Sequence, residues 1–251
     1  MNAARLHYIY DPLCGWCYGA APLVRAAQAL ISIQLHAGGM MTGARRQFVT
    51  AQLRDFVRRH DSHIAKLSGQ TFGSGYTYGL LENTQALFDS EVPSAAIIAV
   101  EQLSTQPDAG LAMLSALQQA HYVEGQRIAD IDTVCEIAAN LGYEPSSVRE
   151  RMKLLMSKEL GESTCEAHFK QTHRLMQQLG VQGFPSMAIE HNGVFRKLDV
   201  GSYIGKPEAF SAHVQLILAE ISAQESRFEA KPALTGERAV LCSVDACEIE
   251  R

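Results

Sequence analysis

No stretch of this sequence is apolar enough to cross a membrane. The most apolar run, Ala95 to Val100, is far shorter than the roughly 20 residues that a membrane-spanning helix needs, and Pro93 and Glu101 flank it. The first residues also lack the basic start, apolar core and small-residue cleavage site of a secretory signal, since Arg5 to Tyr10 already has the pattern of a β-strand. We therefore expect a cytoplasmic protein without a membrane partner.

Basic residues are outnumbered and scattered. The 251 residues include 22 Lys and Arg against 27 Asp and Glu, which gives a formal net charge of −5. Because no basic run could neutralise a row of phosphates, we expect no nucleic-acid partner. With 47% hydrophobic and 20% charged residues, the chain has the composition of a soluble globular protein with a large core.

Cysteine is too rare and too unevenly spaced for a scaffold held by disulfides. In a reducing compartment, six cysteines favour catalytic, redox-sensing or metal-binding roles instead. They form two pairs and two single residues: Cys14 and Cys17 as C-x-x-C, Cys242 and Cys247 as C-x4-C, with Cys135 and Cys165 alone in stretches of helical character. The two single cysteines are predicted to be buried structural thiols.

The first cysteine pair lies where a strand pattern changes to a helix pattern. The strand from Leu6 to Tyr10 ends at Asp11-Pro12, because proline donates no amide hydrogen and restricts the residue before it. Apolar residues at helical spacing follow from Trp16 to Ile31, and Ile33 to Ala37 alternates like a second strand. The cysteines are therefore predicted to lie at a helix N-terminus.

The middle of the chain is almost wholly helical in pattern. Candidate helices run over Ala51 to Leu67, Asn83 to Leu103, Ala109 to Val123, Ile131 to Leu141, Ser146 to Lys158 and Ser163 to Leu179. We predict a helical insertion domain over residues 44–180, between the two parts of an α/β domain over residues 1–43 and 181–222.

The strand signal returns after the helical stretch. Ser186 to Glu190 and Val194 to Val200 flank Asn192-Gly193, a pairing that predicts a β-hairpin. Pro207 to Ile221 reads as a closing helix. Residues 223–251 form a polar tail that ends in the C-x4-C pair.

A C-x-x-C pair at a helix N-terminus favours thiol–disulfide chemistry. Unpaired amides and the helix dipole stabilise a thiolate there, so Cys14 is the predicted nucleophile. Two intervening residues place Cys17 within reach, where it can resolve a mixed disulfide formed on Cys14. A zinc site uses the same spacing but needs two further ligands, and none follows nearby. The predicted mechanism requires no metal and no organic cofactor, because the cysteines carry the electrons.

Two further features are candidates for substrate binding. Phe184-Pro185 precedes a strand, and a proline at a strand entrance is a candidate for a cis peptide bond. A cis Pro185 would expose the backbone of Phe184, to which an extended substrate peptide can add by β-augmentation. Trp16, the only tryptophan, either packs at the helix end or faces the substrate.

Three features together resemble the DsbA family, specifically its cytoplasmic FrnE-like branch: Asp11 to Gly19 (DPLCGWCYG), the helical insertion, and Gly180 to Pro185 (GVQGFP). The resemblance covers roughly residues 6–221. It implies an α/β thioredoxin fold interrupted by a helical insertion, a nucleophilic Cys14, a resolving Cys17, and a cis Pro185 whose exposed edge lies against them. The implied function is that of a thiol-disulfide oxidoreductase or protein disulfide isomerase. Its expected partners are disulfide- or thiol-containing proteins or small molecules, with glutathione or thioredoxin as candidate electron partners.

Departures from the family pattern leave alternatives open. Periplasmic members resemble C-P-H-C, whereas Gly15 and Trp16 stand here, so strongly oxidising behaviour is not expected. Kappa-class glutathione transferases and chromene-carboxylate isomerases share the fold, which makes a glutathione-using isomerase or transferase the first alternative. A metal-binding module built from both cysteine pairs is the second. The C-x4-C pair, Cys242 and Cys247, is interpreted either as a second redox pair or as metal-binding or incidental thiols.

Three other features carry weaker predictions. His60 and His63 have the spacing of helical metal ligands but no identifiable partner, so a solvated helix end is predicted. The turn from Gly38 to Met41 is placed near the site because it follows the second strand. Gly73 to Tyr76 is predicted to be a plain loop.

Overall fold

The computed structural model describes residues 3–159 and 161–229. The second cysteine pair, Cys242 and Cys247, lies outside these residues, so its redox role stays a prediction. None of the helices within the described ranges combines the length and the apolar character that crossing a membrane requires.

A four-stranded mixed sheet supports the N-terminal cysteine pair. The strands of the described residues are β1 (Arg5–Tyr10), β2 (Ser32–Ala37), β3 (Gln47–Phe48), β4 (Leu87–Phe88), β5 (Ser186–His191) and β6 (Val194–Leu198). Four of them form the sheet in the order β2-β1-β5-β6, while β3 pairs only with β4. Because β1 runs parallel to β2 and antiparallel to β5, the chain must cross over between β1 and β2 through a helix.

Helices surround this sheet and build the insertion. They are α1 (Gly15–Gln28), α2 (Ala51–Ser68), α3 (Glu91–Leu103), α4 (Ala109–Gln119), α5 (Ile131–Asn140), α6 (Pro145–Met156), α7 (Thr164–Leu179) and α8 (Pro207–Glu229). α1 packs against α2 and α8, and α7 packs against β2. α3 packs against α4, α5 and α6, so its run from Ala95 to Val100 is buried on every side. This position explains why the most apolar stretch of the sequence lies there.

The predicted helix from Asn83 to Leu103 is wrong in its first turns. α3 begins only at Glu91, because Leu87–Phe88 forms β4. The side chain of Asn83 accepts a hydrogen bond from the amide of Gln85 at 3.0 Å, and such a local bond favours a turn over a helix.

The C-terminal part of the sheet confirms the predicted hairpin. Asn192 and Gly193 both have positive φ, of 50° and 79°, as a two-residue turn between twisted strands requires. The closing helix is longer than predicted, since α8 continues to Glu229 rather than ending at Ile221. The start of the predicted tail, residues 223–229, therefore belongs to α8. The predicted division into domains stays a prediction.

Two histidines lie together on one face of β1 and β2. His7 Nδ1 and His36 Nε2 are 2.9 Å apart, and the two rings stack with centroids 5.0 Å apart. His168 of α7 covers this face, and its Nε2 accepts a hydrogen bond from the amide of Ala37 at 3.1 Å. His36 is only 8% exposed as a result. Burial, together with the neighbouring His7 and His168, lowers the pKa of His36 to about 3.

Replacing His36 with glutamine is expected to reduce the loss of stability that acid causes. Unfolded His36 takes up a proton near its usual pKa of 6.5, whereas folded His36 does so only near 3. Between these values the unfolded state binds more protons, so falling pH lowers the free energy of unfolding. His36→Gln should lessen the drop between pH 7 and pH 5 by roughly 1–2 kcal/mol in urea unfolding. His60→Gln, at an exposed position, is the control, and an equal drop in wild type and His36→Gln would contradict the prediction.

Candidate active site

The first cysteine pair lies at the start of α1, as predicted. Cys14 is the N-cap residue, and its carbonyl oxygen accepts hydrogen bonds from the amides of Cys17 at 2.9 Å and Tyr18 at 3.1 Å. No side chain of the cap bonds to the first turn, so the helix N-terminus offers its partial positive charge to a thiolate. Both thiols are free in this structure.

The two cysteines have unequal surroundings. Cys14 is 7% exposed and Cys17 is fully buried. Burial raises the pKa of the Cys17 thiol well above its usual range, and its hydrogen bond and charge interaction with Cys14 raise it further. Cys17 is therefore the protonated, inner thiol of the pair, and Cys14 is the less buried one.

The peptide bond between Phe184 and Pro185 is cis, the isomer that the sequence predicted. It brings the carbonyl oxygen of Phe184 to 3.6 Å from Sγ of Cys14, whose thiol donates to it. Gly38 makes room for this arrangement, because a Cβ there would lie 2.1 Å from ring carbons of Phe184. The turn that begins at Gly38 thus lies at the site, in agreement with its predicted placement.

Asp11 is a buried carboxylate beside the pair that the sequence did not identify as a site residue. Asp11 accepts hydrogen bonds from the amides of Leu13 at 2.9 Å and Met40 at 2.6 Å, and from the hydroxyl of Ser90 at 2.8 Å. Burial raises the pKa of Asp11 to about 6, although these three bonds oppose the shift. Asp11 thereby joins the end of β1 to the turn after β2 and to the start of α3. From the sequence, Asp11 was notable only because it precedes Pro12 at the end of a strand.

A second buried carboxylate, Asp61 of α2, lies against the residue that follows Cys14. A Cβ at Gly15 would be 2.8 Å from Oδ1 of Asp61, so this contact needs glycine at the first position between the cysteines. Asp61 is 7% exposed, and its Oδ2 accepts a hydrogen bond from the Tyr76 hydroxyl at 2.9 Å. Burial raises the pKa of Asp61 to about 7, while the bond from Tyr76 works in the other direction.

Trp16 is half-buried and packs on α2. Its ring meets the ring of His63 edge-on, with centroids 5.8 Å apart. The ring of His60 lies against that of Phe56, with centroids 4.3 Å apart. Both histidines are exposed, as a solvated helix requires. Within residues 3–159 and 161–229, no group of three or more His, Cys, Asp or Glu side chains is arranged to hold a metal ion.

Comparison with known proteins places this arrangement in a family. The DSBA-like thioredoxin domain matches residues 5–202. The chain belongs to the DSBA-like thioredoxin family. Among solved structures it is similar to the cytosolic disulfide reductase DsbM from Pseudomonas aeruginosa, with 44% identity, a TM-score of 0.77, and coverage of 86% of this chain and 98% of that chain.

Two further structures extend the comparison. DsbM from Pseudomonas aeruginosa with GSH is 42% identical, with a TM-score of 0.74 and coverage of 86% of this chain and 99% of that one. A putative protein disulfide isomerase from Nitrosomonas europaea, at 21% identity and a TM-score of 0.65, covers 89% and 99% and shows the fold alone. No curated protein matches the chain.

This DsbA-like protein is a thiol-disulfide oxidoreductase that acts on thiol and disulfide substrates. The predicted fold class, a thioredoxin fold with a helical insertion, and the predicted enzyme class are both confirmed. The FrnE-like branch is not specifically matched and stays a prediction. The roles of Cys14, Cys17, Pro185, Trp16 and Phe184 also stay predictions.

The two single cysteines are buried on helices α5 and α7. Cys135 and Cys165 are 1% and 0% exposed, which confirms their predicted burial. Burial raises the pKa of Cys165 to about 12, so its thiol stays protonated at neutral pH. Neither residue offers an accessible thiolate.

Proposed function

We propose that this DsbA-like oxidoreductase reduces disulfides in the cytoplasm and takes its electrons from glutathione. The observation that carries the proposal is the contrast between Cys14, which is 7% exposed and contacts the carbonyl of the half-buried Phe184, and Cys17, which is fully buried. The likeness to the cytosolic disulfide reductase DsbM supports the direction and the compartment, and the structure of DsbM with GSH supports the electron source.

Two thiolate attacks would reduce a disulfide. The Cys14 thiolate attacks one sulfur of the substrate disulfide, forms a mixed disulfide and releases the other sulfur as a thiolate. Cys17 then loses its proton and attacks the Cys14 sulfur, which releases the second substrate thiolate and leaves the Cys14–Cys17 disulfide. Two electrons have passed from the protein to the substrate, which leaves as two thiols once protonated.

Glutathione would restore the dithiol by the same chemistry in reverse. One glutathione thiolate attacks the sulfur of Cys14 and releases Cys17 as a thiolate, which takes up a proton. A second glutathione thiolate attacks the glutathione sulfur of the resulting mixed disulfide and releases Cys14 as a thiolate. The products are oxidised glutathione, the Cys14 thiolate and the Cys17 thiol, so two electrons return to the protein.

The unequal thiols account for the order of these steps. Burial is the largest cause of the raised pKa of Cys17, and the hydrogen bond and negative charge of a Cys14 thiolate raise it further. Formation of the mixed disulfide removes that charge, so Cys17 ionises more readily at the moment when it must attack. Burial meanwhile prevents Cys17 from reacting first with an outside disulfide.

The cis Pro185 and its neighbour would hold the substrate. The carbonyl of Phe184, at 3.6 Å from the Cys14 sulfur, can accept a hydrogen bond from the backbone of an extended substrate. Trp16 follows Gly15 in the same turn, is half-buried, and would give a substrate a flat apolar surface. Both positions suit a peptide that passes across Cys14.

A redox titration tests the proposal. Purified protein is equilibrated in glutathione buffers, and Trp16 fluorescence is followed in wild type and Cys14→Ser. A Cys14-dependent transition with a midpoint near about −270 mV is expected for a reductase, since thioredoxin has this potential. A midpoint of about −120 to −180 mV would indicate an oxidant or isomerase instead. No transition, with both thiols still free by mass spectrometry, would refute the dithiol mechanism.

A further inference from the structure

The surroundings of Cys17 oppose the negative charge that it needs for an attack on a mixed disulfide. Cys17 is fully buried, and burial is the largest cause of its raised pKa. In the described part of the chain, the titratable side chains that interact with it are all acids: Tyr8, Tyr10, Asp11, Cys14 and Tyr122. Because none of these acids can supply a positive charge, a Cys17 thiolate depends on hydrogen-bond donors.

The hydroxyl of Tyr8 is a donor that lies beside Cys17. Tyr8 belongs to β1 and is 1% exposed. Its hydroxyl donates to the carbonyl oxygen of Cys17 at 3.4 Å, and it also forms a hydrogen bond with the Cys17 side chain. The bond to the carbonyl is longer than the about 2.5–3.0 Å of a well-formed O–H···O bond. A charged sulfur is therefore the stronger acceptor for this hydroxyl.

Tyr8 keeps its own proton while Cys17 reacts. Burial raises the pKa of Tyr8 well above its usual value of 10.0, and the negative charges of Cys17 and Cys14 raise it further. The hydroxyl therefore stays a donor at neutral pH and adds no second negative charge beside the sulfur.

We propose, on the basis of the proposed resolving role of Cys17, that Tyr8 is a further catalytic residue, whose hydroxyl donates a hydrogen bond to the Cys17 thiolate as this thiolate attacks. In the mixed disulfide, Cys17 loses its proton to solvent and its sulfur forms a bond with the sulfur of Cys14. The bond between Cys14 and the substrate sulfur breaks, and its electron pair leaves with the substrate thiolate. Tyr8 keeps its proton throughout this step.

An aromatic disulfide, dithiobis-nitrobenzoate, separates the two attacks in a stopped-flow experiment. Attack by Cys14 releases a first equivalent of coloured thionitrobenzoate, and attack by Cys17 releases a second. Tyr8→Phe removes only the hydroxyl, so the first release should stay within about twofold of the wild-type rate and the second should slow about tenfold at pH 7. The second release should also reach its full rate at a higher pH in Tyr8→Phe, because the Cys17 thiolate has lost a donor.

Tyr122→Phe is the matched control. Tyr122 is 1% exposed, and the charge of Cys17 acts on it, but its hydroxyl has no hydrogen-bond partner among the described residues. Both releases should therefore stay within about twofold of the wild-type rates in this variant.

A fluorinated tyrosine at position 8 tests the same hydrogen bond in the opposite direction. The ring of 3-fluorotyrosine fills nearly the same space, and its more acidic hydroxyl is a stronger donor. The second release should therefore become faster than in wild type, a result that remains informative if Tyr8→Phe does not fold.

Three results would overturn the assignment of Tyr8. Equal rates of the second release in wild type and folded Tyr8→Phe would do so and leave the resolving role of Cys17 standing. An equal slowing in Tyr8→Phe and Tyr122→Phe would show that packing, and not the hydrogen bond, sets the rate. A single equivalent of thionitrobenzoate from folded wild-type protein would refute the resolving role of Cys17 itself, and the assignment of Tyr8 with it.

Discussion

Replacing Cys14 with serine is expected to lower the rate of disulfide reduction on the order of a thousandfold. The attacking species is a thiolate, and a serine hydroxyl does not ionise at neutral pH even at a helix N-terminus. The carbonyl of Phe184 and the first turn of α1 stay in place, so the variant should still bind substrate. Binding alone does not break a disulfide, so turnover should be lost. Reduction of hydroxyethyl disulfide measures the effect, and thermal unfolding checks that the variant is folded. Residual activity above about a tenth of wild type would contradict the assignment of Cys14 as the nucleophile.

Cys17→Ser is expected to stop the reaction at a different point. The Cys14 thiol remains, so the first attack proceeds, but the protein has no second thiol to release the substrate, which stays bound until an outside thiol attacks. The variant should accumulate a mixed disulfide, visible by mass spectrometry as one added glutathione or substrate thiol per chain. A glutathione-using isomerase or transferase would instead keep full turnover without Cys17. Cys135→Ala, which removes a buried thiol of the helical insertion, is the control.

The parts of the site that the sequence predicts are those held by neighbours along the chain. Strand alternation, the break at Asp11-Pro12 and helical spacing after Trp16 place the cysteine pair at a helix N-terminus, where the structure has it. Asn192-Gly193 predicts the hairpin because a two-residue turn needs positive φ at both residues. Each of these signals extends over a few residues.

The parts that the sequence does not predict depend on contacts between distant residues. Asp11 and Ser90 are 79 positions apart, and no periodicity relates them. Gly15 reads as a small flexible residue, and only the position of α2 shows that it makes room for Asp61. The face of β2 that carries His36 reads as polar, and only the packing of α7 shows that it is buried.

Gly73 and Gly75 show most clearly that the sequence does not predict contacts between distant residues. Replacing Gly75 is also expected to have a large effect on stability. Gly73 to Tyr76 reads as a plain loop, yet the structure has a π-helical turn over Gly75–Gly79. This turn crosses the backbone of residues 123–125 closely. A Cβ at Gly75 would lie 2.3 Å from the carbonyl oxygen of Glu124, and one at Gly73 would lie 2.1 Å from that of Val123. Backbone atoms cannot rotate away as a side chain can, so the two segments would have to separate.

Gly75→Ala is therefore expected to lower the free energy of unfolding by about 3 kcal/mol, and the melting temperature by roughly 6–12 °C. Gly79→Ala is the matched control, because it lies in the same turn with nothing within 4 Å of its Cβ position and with negative φ. At position 79 alanine should not lower the free energy of unfolding, because it restricts the unfolded chain more than glycine does. Equal melting temperatures for the two variants would show that the backbone crossing tolerates a side chain at position 75, and would contradict the prediction.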